Sequence, residues 1–199
     1  MRALAFRNGP APVVSGGELD ALAGAIDLSK LGPAEFIQLL EALHMLGEYR
    51  SGVQLGDMRT DTLVQLVARA SKDQLRALSG HGVLRPFFVD EIFRRMSEHL
   101  IQGKVKDLSL VVSWRFTEGR GEDGYDRYQT VIEDGLCVSA EDLGRIPDTT
   151  VTLSAYDFIR MATGVAAVAP MFITGKVKVK GDYSLAAMFS SYFDIPKPV

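Results

Sequence analysis

The side chains best equipped for bond chemistry are His44, His81, His99 and Cys137. Histidines at ligating spacing would hold a metal, and a thiol beside a base would act as a nucleophile. None of the three histidines has a second ligand at a familiar zinc spacing. His44 falls inside a helical pattern, where packing or local capping accounts for it. Cys137 sits in a short apolar segment, the setting of a buried, inert thiol. No Gly-x-Ser-x-Gly elbow, Walker loop or dinucleotide fingerprint occurs. Gly119-Arg120-Gly121 starts like a fingerprint but runs into Asp123-Gly124 instead of a helix. Glu133-Asp134 reads as a turn, and no carboxylate pair reads as buried. These residues name no nucleophile, base or metal, so the expectation is a protein that is not an enzyme, with no cofactor and no metal.

The chain is rich instead in large apolar side chains toward its end: Phe158, Ile159, Met161, Met171, Phe172, Ile173, Leu185, Met188, Phe189, Tyr192 and Phe193. A helix–sheet core absorbs many of these. Methionine fills irregular space, so the same set also suits an adaptable apolar cavity. Phe158 and Met161 stand at i and i+3, and Met188, Phe189 and Tyr192 at i, i+1 and i+4, each group on one side of a helix. Together with Phe172 and the strand residues Trp114, Phe116 and Ile132, they can enclose an apolar tunnel. Lys176, Lys178 and Lys180 recur at period two on one strand face. That pattern fits a solvated edge strand, or contact with an anionic headgroup or membrane surface.

The elements that must position these residues follow from periodicity. Ala3–Phe6 reads as a short strand, broken by Asn8-Gly9-Pro10. From Glu18 to about Leu100 the spacing predicts about five helices. Pro33 suits a helix start, Ser71 and Gln74 have the spacing of a capping box, and Pro86 can open a longer helix. After Gly103 the period changes to two. Leu108, Leu110, Val112, Trp114 and Phe116 alternate with Ser109, Val111, Ser113 and Arg115, which predicts a strand with one apolar face. Tyr128, Thr130 and Ile132 alternate again, and Asp134-Gly135 makes a hairpin turn. Strands follow at 136–139 and 149–153. Ser154 caps a helix closed by Gly164, a last strand spans 176–180, and Asp182 caps a final helix through Phe193. Three successive strands joined by tight turns favour antiparallel pairing and an α+β class.

Composition narrows the function classes. Of 199 residues, 47% are hydrophobic and 24% charged, an ordinary globular balance that excludes a disordered chain. Net charge is −3, and both halves of the chain carry nearly balanced charge, so no basic field exists to hold nucleic acid. A single cysteine permits no intramolecular disulfide, which makes a reducing cytoplasm the expected compartment. No apolar run reaches the roughly 18 residues of a membrane span. The start lacks the apolar core of a signal peptide.

From about Phe88 to Pro198 the chain resembles the sterol carrier protein 2 family. The matching stretches are Ile92-Phe93-Arg94-Arg95-Met96, then Leu110 to Phe116, then Val151 to Phe158 and Met161-Ala162-Thr163-Gly164. The most specific is Phe172-Ile173-Thr174-Gly175-Lys176-Val177-Lys178-Val179-Lys180-Gly181-Asp182, followed by Leu185-Ala186, because turn, strand, break and helix come in the family's order. The resemblance implies a five-stranded, mostly antiparallel sheet covered by helices, with an apolar tunnel beneath the last helices. It implies binding, and possible transfer, of a fatty acyl chain, acyl-CoA, sterol or phospholipid without a prosthetic group. Residues 1–85 lie outside it and read as a helical extension of a lipid-binding domain at 86–199. The alternatives are an interaction protein, in which the domain has a filled core and the helical extension recruits a partner or forms a homodimer, or an accessory subunit of a lipid or steroid catabolic enzyme.

Overall fold

The computed structural model describes residues 16–48, 55–141 and 143–198. The strand expected at Ala3–Phe6 and the break after it lie outside the described residues. Five α-helices come first: α1 (Gly16–Ala25), α2 (Pro33–Glu48), α3 (Thr60–Arg69), α4 (Lys72–Gly80) and α5 (Leu84–Glu98). Helix α3 buries Leu63, Val64, Leu66 and Val67, the apolar positions of its repeat, and leaves Arg69 at its polar end. The Ser71–Gln74 capping box forms at the start of α4. Gln74 is buried, and its amide Nε2 also donates to the carbonyls of Leu28 and Leu31, each at 2.8 Å. One side chain thus caps α4 and pins the single 3-10 turn that follows α1.

Pro86 lies in the first turn of α5, where a missing N–H removes no helical bond. Just before it, His81 accepts from the Leu84 N–H through Nδ1 at 3.2 Å, while its Nε2 lies 3.2 Å from Glu41 of α2. Arg85 is buried and reaches the sheet, donating to the carbonyls of Thr117 and Glu118 and pairing with Asp126 at 2.8 Å. Arg95, nearly three turns further along α5, donates to Glu91 at 2.7 Å, to Thr60 Oγ1 at 3.1 Å and to the carbonyls of Gly56 and Met58. It therefore satisfies the backbone of the segment that leads into α3.

A short helix α6 (Gln102–Val105) precedes the sheet of β1 (Leu110–Thr117), β2 (Tyr125–Glu133), β3 (Leu136–Ala140), β4 (Thr149–Ser154) and β5 (Lys178–Gly181). Its order is β3-β2-β1-β4-β5. Three of the pairings are antiparallel and β1–β4 is parallel, so the sheet is mostly antiparallel and the fold is the expected α+β class. Asp134 and Gly135, with φ of 52° and 73°, form the β2–β3 hairpin turn. The alternation in β1 buries Leu110, Val112, Trp114 and Phe116 on one face. Helices α7 (Ala155–Ala162), α8 (Val168–Ile173) and α9 (Tyr183–Met188) follow β4 and β5. Ser154 and Asp182 cap α7 and α9 as their positions predict.

The last helix is shorter than its pattern predicts. It tightens to a 3-10 turn over Phe189–Tyr192, and Phe193 is extended. The Tyr192 carbonyl accepts from the Ile101 N–H, and the Asp194 N–H donates to the His99 carbonyl, each at 2.8 Å. These bonds tie the chain to the segment after α5 and draw it out of helical geometry. One apolar cluster extends from Leu19 in α1 to Phe193. No described helix is long and apolar enough to cross a membrane.

Candidate functional site

Between the inward face of β1 and the segments that follow β4 lies a cavity of about 250 Å³. Trp114 of β1, Phe158 and Met161 of α7, and Phe189 of the last turn line it. They share it with Met96 of α5, Ala162, Phe193, Ile195 and Pro196. The exposed lining residues Gly164, Ser190 and Lys197 mark its mouth. Lys197 is the one charged side chain among the lining residues.

Local structure explains these positions. Trp114 points inward because β1 alternates, and its indole Nε1 donates to Thr130 Oγ1 at 2.9 Å. Thr130 in turn bonds Ser139 at 2.8 Å, so a chain of three polar groups fixes the ring across β1, β2 and β3. Phe93, Phe116 and Phe158 surround it, with Phe158 at 5.5 Å between ring centroids. Phe189 also packs against it.

Of the nine apolar residues expected around a tunnel, the structure brings Trp114, Phe158, Met161 and Phe189 to one cavity. Phe116 and Ile132 are fully buried in the sheet core beside it. Phe172 is half-buried on α8, packed against the core and not at the cavity. Tyr192 is buried next to the cavity, whereas Met188 is 54% exposed. The 3-10 turn accounts for that split. In it, residues three apart eclipse, so Phe189 and Tyr192 share the inward side and Met188 turns out.

Lys178 and Lys180 lie on β5, paired with Thr152 and Thr150 of β4. Both are on the sheet's outer face, since the intervening Val179 packs against the core. Lys176 precedes the strand and sits 3.9 Å from Asp157.

Met96, Ala162, Phe193, Ile195 and Lys197 line the cavity without having been singled out as site residues. Met96 falls in a stretch that resembles the family, and Phe193 among the large apolar residues near the end. Ile195 and Lys197 carry no sequence signal of their own, because a lone apolar residue on a surface is ordinary.

Burial pushes the Cys137 thiol up to about 11, which keeps it protonated and unreactive at neutral pH. Asp90 is raised by partial burial, opposed by a hydrogen bond from Tyr128. Among the described residues no group of three or more His, Cys, Asp or Glu is placed to hold a metal.

The sequence profile of the SCP-2 sterol transfer family matches residues 89–194, more than half of the chain, and the chain belongs to that family. No curated protein matches it. Solved structures resemble it more distantly. The inverting sec-alkylsulfatase Pisa1 from Pseudomonas sp. is 21% identical, with 97% of this chain and 34% of that chain covered and a TM-score of 0.49. The chain thus spans about a third of the length of the alkylsulfatase it matches. Sterol carrier protein 2 from Aedes aegypti, solved with palmitate, is 18% identical, with 54% and 97% covered and a TM-score of 0.42. The sterol carrier protein 2 like 2 of Aedes aegypti is 20% identical, with 53% and 96% covered and a TM-score of 0.40.

Proposed function

We propose that the chain binds a lipid by enclosing its acyl part in the cavity between Trp114, Phe158, Met161 and Phe189, and transfers it without chemical change. The observation that supports this reading is the lining itself. It is apolar apart from Ser190 and Lys197 at the mouth, in a chain of the SCP-2 sterol transfer family. An acyl chain offers little shape beyond its length, so its receptor needs dry, adaptable walls more than directed polar groups. Each CH₂ moved from water into such a site contributes up to about 0.8 kcal/mol. Lys197 is placed to meet a carboxylate or phosphate left at the mouth. The reading assigns no reaction to the site.

Size limits the ligand. Benzene fills an apolar cavity of about 150 Å³, so the observed volume scales to an alkyl chain on the order of ten carbons. It lies just under the roughly 300–1,000 Å³ of common small-molecule pockets. A sixteen-carbon chain therefore requires the walls to move.

The test uses the only tryptophan as the reporter. Purified protein is examined by native mass spectrometry for co-purified lipid, then titrated with a brominated fatty acid while Trp114 emission is followed. Saturable quenching is the expected result. An empty protein with unquenched Trp114 overturns the reading. A second reading, association with a copy or a partner enzyme, is favoured by the edge strand β3, which leaves Leu136 68% and Val138 53% exposed. Dimers of lipid-free protein in the same spectra would favour it.

A further inference from the structure

We infer that helix α3, which lies outside the family match, forms the far wall of the lipid cavity and sets the length of acyl chain it accepts; this rests on the lipid-binding reading. The juxtaposition that carries it is a second, small space of about 20 Å³ that shares part of its lining with the first. Leu63 and Val64 of α3 line that space, and both are buried. Met96, Ala162 and Ile195 line both spaces, so these three side chains are the partition between them.

The partition is built to yield. Methionine is unbranched and repacks readily. Ala162 contributes only a methyl group. Ile195 lies on an irregular segment after the last 3-10 turn, outside any helix or strand. The wall behind it is of the opposite kind. Leu63 and Val64 are held on a regular helix whose leading segment is fastened to α5 by the bonds of Arg95 to Thr60 and to the carbonyls of Gly56 and Met58. An acyl chain longer than the first space pushes through the partition and stops against α3. The extension thereby acts as the ruler of the site, and residues from two regions of the chain bound one ligand.

The experiment measures displacement of a fluorescent fatty acid from the full chain by saturated acids of 8 to 16 carbons. Each extra buried CH₂ is worth roughly four-fold in affinity. Leu63→Ala opens space for about two more carbons, so the affinity ratio of the 14-carbon to the 10-carbon acid should rise on the order of ten-fold. Val64→Leu adds a methylene into the second space and should lower that ratio roughly four-fold. Thermal unfolding on the same samples establishes that each variant is folded. Should Leu63→Ala fail to fold, the conservative Val64→Leu decides alone. If wild type binds the acids but the ratio stays within two-fold in the folded variants, α3 is not the wall and this inference falls while the lipid-binding reading stands. If wild type binds none of the acids, both fall together.

Discussion

The ring of Phe189 meets the indole of Trp114 edge-on, with ring centroids 5.2 Å apart and planes at 71°. Trp114 is anchored in the central strand β1 through Thr130, whereas Phe189 belongs to a four-residue 3-10 turn. The pair joins the central strand of the sheet to a short turn near the mouth of the cavity. Aromatic pairs of this geometry contribute about 0.5–1.5 kcal/mol beyond their buried area. Opening the cavity at this side gives up that contact and the packing of the turn, against the backbone bonds that tie the segment to Ile101 and His99.

Phe189→Gln and Met188→Gln should therefore behave differently, although the two residues are adjacent. Phe189→Gln places an amide against the apolar lining and should weaken a fluorescent fatty-acid probe at least ten-fold. Its loss of folding stability should stay near the lower end of the roughly 1–3 kcal/mol for an unpaired buried amide, because the mouth is close enough for water to reach it. Met188→Gln changes an exposed side chain and should leave probe affinity within two-fold. Equal effects on probe affinity would place the ligand elsewhere.

Arg95 is a stability determinant. Arg95→Ala removes a buried cation from Glu91 and leaves the Met58 carbonyl short of a donor, while the Gly56 carbonyl keeps Arg94 at 3.2 Å. Glu91 keeps Arg94 at 2.6 Å, so the cost should be about 3 kcal/mol, the low end for breaking a buried pair. Denaturant unfolding in low salt and in 1 M salt should give the same loss, since buried pairs are weakly screened. A loss under about 1 kcal/mol, the range of surface pairs, would mean that the network is solvated.

The proposed division between residues 1–85 and 86–199 can be tested by two fragments. A fragment from His81 keeps Arg85 and its bonds to Thr117, Glu118 and Asp126, and one from Pro86 loses them. The longer fragment should unfold cooperatively and hold the probe, and the shorter should be less stable by about 2 kcal/mol or more. Absence of a cooperative transition in the His81 fragment would make the helices and the sheet one folding unit.

The lysines of β5 offer a separate test. Replacing Lys178 and Lys180 by Gln should weaken binding to anionic vesicles at low ionic strength, each lysine near such a surface contributing about 1 kcal/mol. Lys176→Gln should matter less, since Asp157 lies 3.9 Å from its ammonium group. Vesicle binding that ignores all three substitutions at low salt would reduce the stripe to a solvated edge.

Much of the fold is legible in the sequence because its signals are local. A capping box, a strand alternation and a positive-φ turn each depend on residues within a few positions of one another. Ser71–Gln74, the run from Leu110 to Phe116, and Asp134-Gly135 all stand where their patterns put them. The family resemblance adds the five-stranded sheet covered by helices, and with it the class of ligand to look for.

The cavity is a different matter, because its walls come from segments far apart in the chain. Periodicity identified Trp114, Phe158 and Phe189 as inward-facing, but it could not say that they face the same space. The sequence alone determined which residues are apolar and on which side of their own element they lie. Tertiary structure decided the parallel pairing of β4 with β1, the tightened turn that sends Met188 outward, and the return of Ile195 between α5, α7 and α3. Each depends on a long-range bond or contact, such as Tyr192 to Ile101, whose energy appears only once distant segments have met.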